Sequence, residues 1–522
     1  ITDIKVKRAK ESEFATPAIQ EIAKKVVATQ SLDVDGISGA SLTSEGTKEA
    51  IEEAVKKSGI TLTAVTVQNT KAVELPKEAD VVVIGGGGAG LTSAIAAHEK
   101  GAKVILIEKT ELLGGNTNYA TAGLNAAGTK IQEKLGVKDS PELFYEDTMK
   151  GGKNKNNKEL VRVLVNNSSA IVDWLIERGA DLSELTSTGG QSAKRTHRPT
   201  GGTAVGPNIV AALSKTAESE KIDIRKGTKA IALVKTKNRI VGVKVREIDG
   251  KEYTIKAKAV IVATGGFGAN AKMVEKYNPK LKGFGSTNSP AIVGDGIIMV
   301  EKVGGALVDM SEIQTHPTVV YNKTNMITEA VRGEGAILVN KDGKRFIDEL
   351  ETRDVVSKAI LSQKGKSAFL IFDEDIRTKL KAADGYVKKG FAVEGTLEEI
   401  AAKIGTDAKT LEATLNKYNE AVRDKVDSEF NKKTLPKELT GTKYYAIEVS
   451  PAVHHTMGGV RINTNAEVLS KNGRPIKGLY AAGEVTGGIH GANRIGGNAV
   501  ADITIFGKIA GENAATYSKS VK

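Results

Sequence analysis

Gly85, Gly87 and Gly90 stand at a G-x-G-x-x-G spacing. Glycines so placed allow a tight turn and let a pyrophosphate approach a helix N-terminus, where unpaired amides and the helix dipole favour anions. The residues before them, Asp80-Val81-Val82-Val83-Ile84, have the continuous apolar character of a strand buried on both faces. A helix follows from Gly90 to Lys100, Gly101 stops it, and Val104-Ile105-Leu106-Ile107-Glu108 forms a second strand. The carboxylate of Glu108, at that strand's end, can accept from a ribose hydroxyl. Strand, glycine turn, helix and acidic strand end together make a dinucleotide site. Three further motifs favour FAD over NAD: Gly114-Gly115-Asn116-Thr117, Ala263-Thr264-Gly265-Gly266-Phe267-Gly268 and Gly478-Leu479-Tyr480-Ala481-Ala482-Gly483-Glu484.

A second phosphate site lies upstream. In Asp35-Gly36-Ile37-Ser38-Gly39-Ala40-Ser41-Leu42-Thr43-Ser44 the small residues Ser38, Gly39, Ala40 and Ser41 let a loop fold closely around a phosphate. Thr43 stands beside the N-terminus of the helix that follows, where backbone N–H groups would stabilise a phosphodiester. The pattern looks like the motif on which a flavin transferase esterifies FMN through its phosphate, and the last hydroxyl residue, Thr43, is then the acceptor. A helix cap is the plain alternative, since Ser and Thr favour that position in any case. Ser41 stands where threonine is common in this motif. Two flavins on one chain imply a relay of electrons from FMN to FAD.

Composition narrows the field. The chain has 522 residues, 56 of them glycine, and no cysteine, which excludes disulfides, thiolate metal sites and Cys-ligated clusters or haem. No metal site is expected. The net charge of +12 reads first as a lysine-rich solvated surface, and aromatics at 4% disfavour stacking on nucleic acid. The densest basic stretch, Lys150-Gly151-Gly152-Lys153-Asn154-Lys155, is a glycine- and asparagine-rich loop. No run reaches the ~18 apolar residues that span a bilayer. The chain opens at Ile1, as a processed or trimmed product would, and the cysteine-free composition suits an extracytoplasmic protein, cell-surface-associated or secreted, of a Gram-positive-type bacterium.

The elements that must position these residues fall into an α/β fold. Residues 1–66 are expected to be a small α+β FMN-binding domain, lacking an earlier strand, with a strand at Ile1 to Val6, a helix from Pro17 to Val27 and another ending at Gly59. Residues 67–78 read as a linker. Residues 79–318 and 446–522 form a discontinuous Rossmann-like FAD-binding domain. Residues 319–445, with a hairpin turn at Lys341-Asp342-Gly343-Lys344 and a capping box at Thr396-Leu397-Glu398-Glu399, form an inserted α+β capping (clamp) domain.

Five segments, in order, resemble the soluble fumarate reductase flavoproteins of the flavocytochrome c and urocanate reductase type. They are Thr315-His316-Pro317-Thr318, Met326 to Gly333, Glu351-Thr352-Arg353-Asp354, His454 to Gly459 and Arg494-Ile495-Gly496-Gly497-Asn498. The resemblance covers essentially everything from about 78 to 522. It implies that Arg494 and His454 clamp one substrate carboxylate while His316 and Thr328 hold the other, with Met326 and Gly497 also at the substrate. Hydride from flavin N5 would reach one alkene carbon and Arg353 would protonate its neighbour, with Glu329 and Arg332 as the relay that reprotonates it. It further implies FAD contacts at Gly85, Gly87, Gly88, Ala89, Gly90, Glu108, Lys109, Gly115, Asn116, Thr117, Gly123, Ala263, Thr264, Gly265, Asp295, Glu484, Ala499 and Val500. FAD would be non-covalent, FMN a phosphoester on Thr43. An arginine acid is unusual, because a free guanidinium holds its proton above pH ~12; a dry site with neighbouring positive charge eases the loss. Structural ion pairing of Arg353 and Arg332 with Asp354 and Glu329 is the plainer reading of the same residues.

With no cysteine to attach haem, the haem domain of the flavocytochromes is not expected, and FMN on Thr43 would take its place as the point of electron entry. A membrane quinol- or flavin-linked donor is then expected in place of a cytochrome. Thr328 before Glu329 suits a second carboxylate, hence fumarate; an acidic residue there would suit the cationic imidazole of urocanate. Acrylate- and cinnamate-type acids, an FAD-dependent oxidase and a non-catalytic flavin carrier complete the alternatives. His98, His197 and His490 read as structural or flavin-supporting.

Overall fold

The computed structural model describes residues 1–7, 16–37, 40–64, 76–237 and 239–521. Its centre is an eight-stranded sheet. Five strands run parallel in the order Pro475–Ala481, Glu252–Val262, Glu78–Ile84, Val104–Ile107 and Asp223–Arg225. Val81 to Ile84 are all but fully buried, as a strand covered by helices on both faces requires. Register places Ile84 beside both Ile107 and Val262, and Ala481 beside Val262. The carboxyl ends of four strands therefore finish level, and the loops leaving them share one crevice. Helices Gly88–Glu99 and Asn498–Ser520 pack on the sheet and on each other.

The chain leaves this domain through Ile313–Val320 and returns through Tyr444–Thr456, two antiparallel strands of a second sheet. Residues from Val320 to Val449 form a separate apolar core around Phe372, Tyr418 and Tyr445. In it Asn340 and Lys344 close the turn at Lys341-Asp342-Gly343, and the Thr396–Glu399 capping box is complete. Neither the strand at Ile313–Val320 nor that at Tyr444–Thr456 is regular. Pairing jumps from Gln314↔His455 to Thr315↔Val453, so His454 is the bulged residue, and a second irregularity follows His316. A bulge turns a side chain out of the alternation. Both histidines gain their aim this way.

The N-terminal unit holds helices Thr16–Thr29 and Ser41–Ser58, the latter closed by Gly59 in the left-handed conformation. Residues 1–7 do not pair as a strand, contrary to the expectation from their alternation. Alternation alone gives no hydrogen-bonding partner, and among the described residues these join none of the sheets. The unit's small core, Ile22, Val26, Val34, Ile37, Ala40 and Ile51, is completed by Leu112 of the FAD-binding domain.

Candidate active site

The crevice opens as a cleft of about 1050 Å³, counting its mouth. Gly85, Gly87, Gly88, Ala89, Glu108, Lys109, Gly115, Asn116, Thr117, Ala263, Thr264, Gly265, Asp295 and Glu484 all line it. A Cβ at Gly85, whose φ is +108°, would overlap the Ala263 carbonyl, so the turn is closed to other residues. At Gly87 a Cβ would meet only Gly114 O at 3.6 Å and Thr117 Oγ1 at 4.0 Å, so the helix start lies open toward the cleft, with Gly88 N donating to Thr117 Oγ1 at 3.0 Å. The Glu108 carboxylate accepts from Gly86 N at 2.7 Å and from Thr110 N at 2.8 Å, and is fixed at the wall. Lys109 pairs with Asp295 at 2.6 Å. Thr264 Oγ1 is buried without a protein partner and borders the same space. An elongated dinucleotide suits these features: a glycine-lined helix start for the pyrophosphate, a fixed carboxylate for a ribose, and an unspent hydroxyl.

Four expected contacts stand elsewhere. Gly90 lies behind the turn, where a Cβ would overlap the Gly85 carbonyl; it serves helix–strand packing. Gly123, with φ +156°, backs onto Thr196 and His197. Ala499 and Val500 sit in the first turn of Asn498–Ser520, outside the lining. The sequence reading missed Lys229, Ser289 and Ile292, which line the cleft. Lys229 lies in strand Thr228–Lys235 and the other two in a loop, neither marked by a fingerprint motif, and only the tertiary fold brings them to the wall.

Asn116 and Glu484, at one end of the cleft, lead to a cluster of cations. Asn116 Nδ2 donates to Asn288 Oδ1 at 2.5 Å, and Glu484 Oε1 accepts from Thr456 N at 3.0 Å, two residues beyond His454. Burial pushes the Glu484 carboxyl up, against those donors. His454 Nδ1 meets Thr287 Oγ1 at 2.7 Å, and its ring lies edge-on to His316, centroids 5.3 Å apart. If the Thr287 hydroxyl donates, His454 Nε2 holds the ring proton and is a donor. Burial first, then nearby guanidiniums, hold both histidines well below their ordinary range, so both are neutral near pH 7.

Arg353 opens helix Arg353–Leu361 and is largely buried. Its Nε donates to Glu329 Oε1 at 2.6 Å and its Nη1 to Gln314 Oε1 at 3.2 Å. Arg494 Nη2 donates to the same Gln314 oxygen at 3.1 Å. Arg332, buried, stands 3.7 Å from Glu329 and donates to Glu349 O at 2.5 Å. Burial alone would raise the Glu329 carboxyl, yet Arg353 and Arg332 outweigh it and hold it down to about 2. Burial and the charge of Arg353 bring Arg494 down to about 9. Thr328 caps the short helix Glu329–Gly333 and its N–H donates to the Tyr386 hydroxyl at 3.1 Å. Met326 bridges to Val319, and Gly497 backs onto Asn125. The structure thus gathers Arg353, Glu329, Arg332, Arg494, His316 and His454 in one place. Gln314 and Thr287 were not foreseen.

In the N-terminal unit, Ser38 and Gly39 lie outside the described residues. Ala40 is the N-cap of helix Ser41–Ser58, so Thr43 falls within its first turn, earlier than the start expected after Ser44. The cause is Ser44: its buried hydroxyl donates to Ala40 O at 2.8 Å and accepts from Ile37 N at 2.9 Å, winding the loop into the helix.

The dinucleotide cleft, with buried guanidiniums and neutral imidazoles beyond it, is that of an FAD-binding flavoprotein. The chain belongs to the FAD-binding flavoprotein family of the soluble fumarate reductases, joined to an FMN-binding domain. Residues 80–500 match the FAD binding domain family and residues 1–56 the FMN-binding domain family. A fumarate reductase (cytochrome) of Shewanella frigidimarina is 51% identical over 84% of this chain and 77% of that protein. An NADH:fumarate oxidoreductase of Klebsiella pneumoniae (strain 342) is 46% identical over 97% of this chain. This chain spans 55% of that protein's length. The open conformation of a flavocytochrome c3 fumarate reductase superposes with a TM-score of 0.76 at 41% identity, covering 90% of this chain and 81% of that one.

Proposed function

We propose that the protein reduces fumarate to succinate at the Arg353 cluster. One observation carries the choice of substrate: the buried guanidiniums of Arg353, Arg332 and Arg494 all act on Glu329, held at about 2, so they outnumber the carboxylate they share and favour a dianion. Arg494 and neutral His454 bind one carboxylate, and His316 with the Thr328 hydroxyl binds the other. Arginine's planar fork matches a carboxylate, and the neutral rings donate without adding charge. Reduced FAD supplies the hydride. Arg353 gives its proton to the adjacent carbon, so the double bond becomes single and the two hydrogens of succinate are accounted for. The neutral guanidine left behind recovers a proton through Glu329, 2.6 Å away, and Arg332 beyond it. Burial keeps bulk water from competing with this transfer.

Thr328 in place of an acidic residue argues against a cationic imidazole substrate such as urocanate. Electrons enter through FMN, joined as a phosphoester to Thr43 by a flavin transferase; Thr43 in a first helical turn supports this reading. A membrane quinol- or flavin-linked donor feeds the FMN. The cysteine-free composition supports an extracytoplasmic location.

Steady-state assays with reduced viologen test the reading. Fumarate should give a higher kcat/KM than acrylate, cinnamate or urocanate. Arg353→Ala should lose about 10²–10⁴ of the rate with FAD retained. Faster turnover on a monocarboxylate, or an active Arg353→Ala, would sink it.

A further inference from the structure

The basic stretch of residues 150–155, which the function leaves unexplained and which the sequence reads as a loop throughout, begins in the last turn of helix Pro141–Gly151, and the loop that follows is firmly built. Lys153 and Asn154 both adopt φ of +55°, a conformation non-glycine residues rarely take, and Asn154 N donates to Met149 O at 2.8 Å. The loop is tied to the segment leading to Arg494: Ala492 N donates to Gly152 O at 3.0 Å, and Asn156 Nδ2 to Ile489 O at 2.9 Å. From that frame Lys153 reaches the clamp domain. Its Nζ pairs with Asp354 Oδ2 at 2.6 Å, while Asp354 Oδ1 accepts from Thr352 Oγ1 at 2.7 Å. Asp354 is the next residue after Arg353, in the first turn of the same helix. Lys155 pairs with Glu312 at 2.7 Å, where the chain crosses into the clamp domain.

We propose that Lys153 is a positioning residue: by holding Asp354 it fixes the first turn of helix Arg353–Leu361 against the FAD-binding domain, and so sets where the Arg353 guanidinium stands relative to Arg494. The inference rests on the reading of Arg353 as the acid. The pair is half-exposed, so it adds little to global stability. Its effect is geometric, because a small misplacement of a reacting group costs far more rate than stability. Being exposed, the pair is also open to screening by salt.

The test uses the full FAD-loaded chain as Lys153→Met, Lys153→Arg and the exchanged pair Lys153→Asp/Asp354→Lys. FAD absorbance and melting temperature matching the unaltered protein show that each variant is folded. Hydrogen exchange at the amides of 356–358, the first bonded amides of the helix, should quicken in Lys153→Met and not in Lys153→Arg. With reduced viologen and fumarate, Lys153→Met should lose about tenfold in kcat with KM changed less than about twofold. Lys153→Arg should restore most of it, and the exchanged pair part of it. Raising ionic strength should lower kcat of the unaltered protein toward that of Lys153→Met and leave the variant flat. Unchanged exchange and kcat in Lys153→Met would overturn the proposal. So would a rise in KM alone, which would mean that the lysine attracts substrate and does not position the acid. If the unaltered protein fails to turn over fumarate, the functional reading falls, while hydrogen exchange still decides whether the lysine holds the helix.

Discussion

Three guanidiniums in one buried cluster repel one another, and the fold tolerates them because Glu329 and the Gln314 amide oxygen lie between them. The cost shows in Arg494, which burial and Arg353 bring down to about 9. Free enzyme should therefore lose affinity for a dianion as pH rises through about 9, and kcat/KM should fall there. The kcat limb should lie higher, because bound dianion favours the charged guanidinium. No limb should appear near pH 6.5, since His316 and His454 stay neutral on either side of it. A pH profile of kcat/KM for fumarate between about 5.5 and 10 checks both statements, and a break near 6.5 would show that a histidine titrates in the site. The arginines and histidines were legible only because they sit in segments that resemble the fumarate reductase flavoproteins; by themselves they read as structural ion pairs and ring contacts. Gln314 and Thr287 were not, because a neutral amide or hydroxyl gains its role only from a bulge that no local pattern announces.

Elements set what each glycine does, and the three of the fingerprint differ. Gly90→Ala would drive a methyl into the Gly85 carbonyl, so helix Gly88–Glu99 would be forced off its strand. The expected cost is about 3 kcal/mol, with FAD lost as well. Gly87→Ala meets nothing closer than 3.6 Å, so the apoprotein's stability should change by no more than about 0.5 kcal/mol while FAD binding weakens. Melting curves of apoprotein and FAD titrations separate the two; equal apoprotein melting would show that Gly90 is not packed as described. The strand–glycine–helix unit was readable because periodicity and punctuation agree in it. Ile1 to Val6 misled for the complementary reason: alternation describes one strand, and a strand also needs a neighbour.

Across the whole molecule, the N-terminal unit is not an appendage. Leu112 closes its core and also lines the FAD cleft, and Lys25 pairs with Glu111 at 3.0 Å beside it. The order of the segments revealed that a second flavin module precedes the FAD fold; it could not reveal this contact, because a lone leucine in a loop has no periodicity to mark it. The arrangement makes a divided prediction about Thr43. Produced together with a flavin transferase, the chain should gain the mass of one FMN phosphoester, and Thr43→Val should not, while both retain FAD. Reduced viologen is small enough to reach FAD directly, so it should drive fumarate reduction by either form at rates within about twofold, since Thr43 lies outside the site and surface changes of this kind are near neutral. A donor that must enter through FMN should drive only the flavinylated form. Intact mass and the two assays together settle the route: if Thr43→Val still gains FMN, another hydroxyl is the acceptor, and if it accepts electrons equally well from both donors, FMN is not the point of entry.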